Sequence, residues 1–300
     1  MICQRVLVIG LGLIGGSVAA ALRHHRCCAE VIGNSRSNET VSTALVRGVV
    51  DKASVDLDAL LPLLQAGDVV VVATPTLSVR ETLLRLRDVV ERGVMVTDVA
   101  SVKGSVVGDA QAVFGASVTR FVPGHPIAGS EQSGIDAVNP ALFSRHAVIL
   151  TPLTETDPAA IATVTRLWEA IGAEVSHMPV AEHDAVLALT SHLPHMLAYT
   201  LVDTLAQRQQ HDDIFRYAAG GFRDFTRIAG SDPVMWRDIA LANRDALLDG
   251  IDDFTQHLSV LRQCIAEGNG SELFSVFERA QQARNHFARL YAKRTTSAHE

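Results

Sequence analysis

Several groups of residues in this 300-residue chain have types and spacings suited to chemistry. Gly10-Leu11-Gly12-Leu13-Ile14-Gly15 is a GxGxxG run set between a β-branched segment and a helical pattern, the turn that carries a dinucleotide pyrophosphate onto a helix N-terminus. Gly10 permits the turn, Gly12 admits the phosphates to the backbone, and Gly15 lets the helix pack closely. The amide groups around Leu13 and Ile14 supply donors and partial positive charge. A glycine-rich turn without a ligand is the alternative. A carboxylate about 20 residues further on would bind the ribose 2′-hydroxyl of NAD. Here Ser35 stands at that place and Arg36 follows it. A hydroxyl and a guanidinium donate to a 2′-phosphate that a carboxylate would repel, so NADP is expected. NAD is the alternative, with Arg36 a solvated surface residue. Thr74 and Pro75, closing a later strand, complete the expected cofactor contacts.

Two further stretches, Ala100-Ser101-Val102-Lys103 and Pro123 to Glu131, are expected as loops leaving the carboxyl ends of sheet strands, where open α/β sheets bind ligands. His125 sits among glycines and prolines in the second. Beside a nicotinamide it would serve as a general base; elsewhere it would be an ordinary core or surface histidine.

The elements that must position these residues alternate in the first half of the chain. Strands are expected at 5–9, 31–32, 69–73, 94–99, 147–150 and 173–178, with helices at 14–23 and 159–170. This is the pattern of βαβ units, hence an α/β fold with a Rossmann-type, doubly wound parallel sheet. Beyond Pro179 the strand pattern gives way to helical periodicity over 181–207, 233–266 and 271–293. The expected domains are residues 1–178, binding the dinucleotide, and 179–300, all-helical. Gly268-Asn269-Gly270-Ser271 should break one helix and cap the next through Ser271, and 295–300 should fray.

Composition narrows the class. Lys and Arg number 26 against 33 Asp and Glu, a net charge of −7 that disfavours nucleic acid and anionic membranes as partners. Any anionic ligand must meet locally placed cations. Four cysteines without a CxxC pair read as free thiols in a reducing, cytoplasmic setting. The apolar run 6–22 imitates a signal peptide, but its regular glycines belong to the nucleotide turn, and no other stretch is expected to span a membrane.

With the motifs in order, the chain resembles the prephenate/arogenate dehydrogenase family of tyrosine biosynthesis over nearly its whole length. The resemblance rests on the Gly10-to-Gly15 loop, Asp98 to Lys103, Gly124 to Glu131, Ser191-His192-Leu193-Pro194-His195, and Gly220 to Ala229 continuing into Ser231-Asp232-Pro233-Val234-Met235-Trp236. It implies nucleotide-dependent oxidative decarboxylation of a cyclohexadienol, prephenate or arogenate, to a 4-hydroxyphenyl product, and a helical domain that forms a homodimer. It further implies that neutral His125 accepts a hydrogen bond from the substrate hydroxyl and that Ser101 holds the same group.

By the same resemblance Arg227 binds a substrate carboxylate, its planar fork suiting that group. A structural ion pair with Asp224 or Glu131 is the alternative for Arg227. His195, Ser130, Glu131, Asp224, Gly220 and Trp236 complete the implied substrate site, Trp236 being equally a core residue by its type. His192 and His195 have a spacing that also suits a metal, but hydride chemistry needs no Lewis acid and no HExxH is present, so no metal is expected and His192 is read as packing. Neither a fused chorismate mutase segment nor a carboxy-terminal regulatory domain is expected. Two rivals are a 3-hydroxyacid dehydrogenase or imine reductase, which gives no reason for the His125 loop, and a non-catalytic NADP-binding sensor.

Overall fold

The computed structural model describes residues 1–130, 132–209 and 211–296. Its strands are β1 (Cys3–Ile9), β2 (Cys28–Asn34), β3 (Lys52–Ser54), β4 (Val69–Val72), β5 (Met95–Asp98), β6 (Phe121–Val122), β7 (Gly124–Pro126), β8 (Ala147–Leu150) and β9 (Glu174–His177). The first six form one parallel sheet in the order β3-β2-β1-β4-β5-β6. The order reverses between β1 and β4, the switch point at which such sheets open a crevice for ligands.

Alternation along the central strands builds a core on each face. Val6 and Val8 join one cluster with Val18 and Leu22 of α1 (Leu13–His24). Leu7 and Ile9 join the other, with Leu83 and Leu86 of a later helix. Strands buried on both faces therefore read as nearly continuous apolar runs, as Val69 to Val72 does.

After α2 (Asn38–Val46) come α3 (Val79–Glu91) and α4 (Gly104–Phe114), then α5 (Pro158–Ala170), α6 (Val180–Leu187), α7 (Leu193–Ala206), α8 (His211–Arg216), α9 (Gly220–Thr226), α10 (Pro233–Ala242), α11 (Arg244–Ala266) and α12 (Gly270–Thr296). A π turn over Ala188–His192 joins α6 to α7.

Four expectations are corrected. The segments 147–150 and 173–178 do not extend the parallel sheet: β8 and β9 belong to a separate three-stranded sheet, β7-β8-β9, in which β7 runs antiparallel to β8. His125 accordingly lies in a short strand, β7, and not in a loop. The cap of α12 is Asn269, whose Oδ1 accepts from Glu272 N at 3.1 Å, while the Ser271 hydroxyl donates to that same oxygen; Gly268, with φ of +67°, does end α11 as expected. The helical run 180–206 has the length and composition of a membrane span, yet it carries the fully buried His183 and His192, both hydrogen-bonded within the protein. Of the tail expected to fray, 297–300 lie outside the described residues.

By packing the chain divides into two compact units, 1–244 and 245–300. The second consists of α11 beyond Arg244 and of α12, and it exposes Phe254, Leu258, Ile265, Phe274, Phe277 and Phe287.

Candidate active site

The glycine turn between β1 and α1 has the geometry its glycines require. Gly10 adopts φ of +100°, and a Cβ there would meet Ala73 O at 2.4 Å. A Cβ on Gly15 would lie 1.9 Å from Gly10 O, so the helix and the turn approach closer than any other residue allows. Gly12 instead opens on free space, and no side chain caps α1. The cradle thus fits a pyrophosphate: an open floor, and the first amides of α1 without a capping side chain. Thr74 Oγ1, just past the carboxyl end of β4, is buried with no protein partner among the described residues and suits a ligand contact. Pro75 next to it is exposed. Ser35 is half-buried directly after β2, and its Oγ accepts from Ser37 N at 3.4 Å. Arg36 is exposed beside it. Leu13 and Ile14 open α1 half-buried.

At the carboxyl end of β5, Asp98 is fully buried and fully used. Its oxygens accept from Lys103 Nζ, from Ala100 N at 2.9 Å and from Gly124 N at 3.2 Å. Lys103 Nζ also donates to Gly124 O at 2.7 Å. Burial pulls the Lys103 ammonium below its usual range, and Asp98 works against that shift. A paired charge with its donors satisfied can persist in such a place, whereas breaking the pair would strand an ion. The ammonium and the carboxylate together clamp both backbone groups of Gly124, the residue before His125.

Asp184, in the first turns of α6, supplies what the start of α4 lacks. No side chain of its own segment caps α4, and Asp184 accepts from Lys103 N at 2.8 Å and from Gly104 N at 2.7 Å. Burial acts to raise the Asp184 carboxyl, but the His183 hydrogen bond and these two amides hold it below the usual carboxylate range.

These contacts fix the protonation of His125. His183 Nδ1 lies 2.8 Å from Asp184 Oδ1, and His183 Nε2 lies 2.9 Å from His125 Nδ1. A carboxylate only accepts, so His183 carries a proton on Nδ1, and a neutral His183 presents a lone pair at Nε2. His125 must then donate from Nδ1, which leaves Nε2 as an acceptor. Burial foremost, with the Lys103 ammonium nearby, pushes the His125 pKa well below 6.5, and a proton on His183 or His192 would act in the same direction. His125 is therefore a neutral imidazole, its tautomer set from two side chains away.

A second group surrounds Trp236 of α10. The His195 ring stacks on it, with centroids 3.5 Å apart and planes at 19°, and the His192 ring meets it edge-on at 6.2 Å. The π turn ending at His192 sets both histidines against one indole. Asn243 Nδ2 bridges His192 Nδ1 at 3.1 Å and Asp184 O at 2.9 Å. Among the described residues His192 Nε2 and Trp236 Nε1 are buried without a protein partner. With Nδ1 accepting from Asn243, a neutral His192 holds its proton on Nε2, so both atoms are N–H donors. Burial lowers the His192 pKa to about 4. His195 Nδ1 donates to Ser191 O at 2.8 Å; burial depresses its pKa, and the Arg227 charge adds to that. Arg227 is thus electrostatically coupled to the His195–Trp236 stack.

Of the other expected residues, Ser101 is half-buried in the turn from β5 to α4, next to Val102, which packs on Trp236 and Ile239. Ser130 is exposed and its hydroxyl accepts from Gln132 N at 3.2 Å. Asp224 accepts from Arg223 Nε at 3.1 Å, and Gly220 opens α9 on the surface. Glu131 lies outside the described residues. Among the described residues no cluster of His, Cys, Asp and Glu could hold a metal ion.

The sequence reading missed His183, Asp184 and Asn243, and gave Lys103 no role. The one signal available was a histidine beside an acid at the start of the first helix beyond Pro179; its distance of 58 residues from His125 hid the contact.

Known proteins match the chain along most of its length. Residues 18–177 match the family model described as prephenate dehydrogenase, nucleotide-binding domain, and 179–279 the one described as prephenate dehydrogenase, dimerization domain. A prephenate dehydrogenase of Bacillus subtilis is 37% identical over 285 residues, spanning 93% of this chain and 75% of that protein. A crystal structure of prephenate dehydrogenase from Aquifex aeolicus, in complex with hydroxyphenyl propionate and NAD+, superposes with a TM-score of 0.88 at 36% identity, covering 95% of this chain and 98% of that one. Synechocystis arogenate dehydrogenase superposes with a TM-score of 0.77 at 33% identity, over 95% and 100% of the two chains.

Proposed function

The chain belongs to the prephenate dehydrogenase family, and from that premise we propose how its residues divide the work of an NAD(P)-dependent prephenate/arogenate dehydrogenase. Residues 1–178 bind the dinucleotide and 179–300 complete the substrate site and form a homodimer. Gly10, Gly12, Leu13, Ile14, Gly15, Thr74 and Pro75 hold the coenzyme, which when bound supplies the hydride acceptor. Ser35 and Arg36 take a 2′-phosphate, so NADP is preferred over NAD.

Neutral His125 carries the reading. Its Nε2 accepts the hydrogen bond of the substrate hydroxyl as hydride leaves the same carbon, and stabilises the positive charge developing there. Ser101 orients that hydroxyl. The ring carboxylate then departs as carbon dioxide, its bonding electrons entering the ring to make the phenol. Because aromatisation drives the reaction, the protein's task is mainly alignment. Arg227, His195 and Trp236 hold the carboxylates, with Ser130, Glu131, Asp224 and Gly220 at the same site. The buried N–H groups of His192 and Trp236 support this assignment, since each needs an acceptor. Four free cysteines support a cytoplasmic setting.

The deciding measurement is one steady-state assay of prephenate and arogenate, each against NAD+ and NADP+. Turnover of at least one substrate, with higher kcat/KM for NADP+, is the expected result. No turnover in all four combinations overturns the reading; turnover with NAD+ preferred overturns the cofactor assignment alone.

A further inference from the structure

Three of the four cysteines, Cys3, Cys27 and Cys28, gather at the amino ends of β1 and β2, away from the carboxyl ends that carry the active site. Cys3 and Cys28 are register partners on these neighbouring parallel strands, which places their side chains on one face. Adjacent strands lie about 4.8 Å apart, inside the Cα separation of roughly 4.4–6.8 Å that a disulfide spans. The pairing also sets the two thiols against each other electrostatically, Cys28 raising Cys3 and Cys3 lowering Cys28. Their exposure differs: Cys3 is buried in the core, while Cys28 is half-buried and packs against the margin of that core. A backbone bond of 2.7 Å from Ile2 N to Cys27 O pins the chain start beside the pair.

We propose that Cys28 and Cys3 form a peroxide-oxidisable dithiol, with Cys28 the attacking sulfur and Cys3 the resolving one. The Cys28 thiolate attacks a peroxide oxygen. The O–O bond breaks, the sulfur becomes a sulfenic acid, and hydrogen peroxide leaves one oxygen as water. Cys3 then attacks the Cys28 sulfur, an S–S bond forms, and the sulfenic oxygen leaves as a second water with the Cys3 proton. Two thiols lose two hydrogens as one peroxide is reduced.

The assignment of roles follows from the contacts. The Cys3 thiol beside it, aided by backbone amides at Glu30 and Val6, lowers the Cys28 thiol below its ordinary range against the opposing effect of burial. Cys3 is pushed up by Cys28 and by burial. Cys27 is pushed up by burial and stays a thiol. The more acidic and more exposed sulfur reacts first.

The test uses the full-length protein, reduced with dithiothreitol, desalted and treated with hydrogen peroxide, then digested without reductant for mass spectrometry. The expected product is a Cys3–Cys28 linked peptide two hydrogens lighter than its parts and restored by dithiothreitol. Dimedone should label Cys28 in the Cys3→Ser variant and leave Cys3 unlabelled in the Cys28→Ser variant. Unchanged dehydrogenase turnover in both variants would show that they fold. Four intact thiols in the treated wild type, a bridge that uses Cys27, or bridges only between two molecules would each overturn the proposal.

Discussion

His125 owes its chemistry to atoms that are not its own. Asp184 sets the tautomer of a neutral His183, and His183 sets that of His125, so a lone pair is left at Nε2 of a ring that burial keeps neutral. Replacing His125 with alanine should lower kcat by ~10²-fold or more with cofactor affinity retained, measured by initial rates and by fluorescence titration of the coenzyme. Unchanged turnover would remove it from the mechanism. The pH profile gives an independent check. A histidine with a depressed pKa loses its acceptor only as pH falls through that low value, so kcat/KM should stay flat from pH 8 down past 6.5 and decline at more acid pH. A break at 6.5 or above would contradict the buried, neutral ring. His125 was legible in the sequence as a candidate because glycine and proline surround it. Its partner was not, because nothing local to residue 183 announces a contact 58 positions away.

Among the elements, the β2-to-α2 turn and the α6-to-α7 run carry the finer decisions. Ser35 directly follows β2 at the place where a carboxylate would select NAD, and the Ser35→Asp variant should move the kcat/KM ratio toward NAD+ by repelling a 2′-phosphate. An unmoved ratio would place cofactor choice elsewhere. The α6-to-α7 run buries His192 as a neutral ring with a pKa of about 4. The unfolded chain takes up that proton near pH 6.5, so from 6.5 down to about 4 it gains what the folded protein cannot. Stability should therefore fall across this window by on the order of 3 kcal/mol on this account, with His125 acting in the same direction. Urea unfolding at pH 7, 5 and 4 would show it, and the His192→Gln variant should fall less steeply; equal slopes would argue against a buried neutral His192. Helical periodicity predicted this run, yet the π turn that seats both histidines on Trp236 has no periodic signature.

For the whole molecule, the two hydrophobic faces of the parallel sheet follow from alternation in the central strands, and the strand order places Gly10 and Asp98 at one end of it. The exposed Phe274 and Phe277 of α12, in a segment matching a dimerization domain through residue 279, lead us to expect that apolar area there is covered by a second copy. Phe277→Glu should shift the protein from dimer toward monomer in sedimentation velocity. A wild-type monomer, or an unaffected dimer in the variant, would move the interface elsewhere.

The sequence by itself determined the glycine turn after the first strand, the parallel α/β half, the helical second half and the family motifs, because each is written in short-range periodicity or in glycines whose backbone demands are local. Only the tertiary structure decided that β8 and β9 leave the main sheet to pair beside His125. It alone decided that Lys103 clamps Gly124 and that Asp184 caps a helix 80 residues away while orienting His183. Those are contacts between distant segments, set by which buried donors find acceptors once the chain has packed, and spacing along the chain does not encode them.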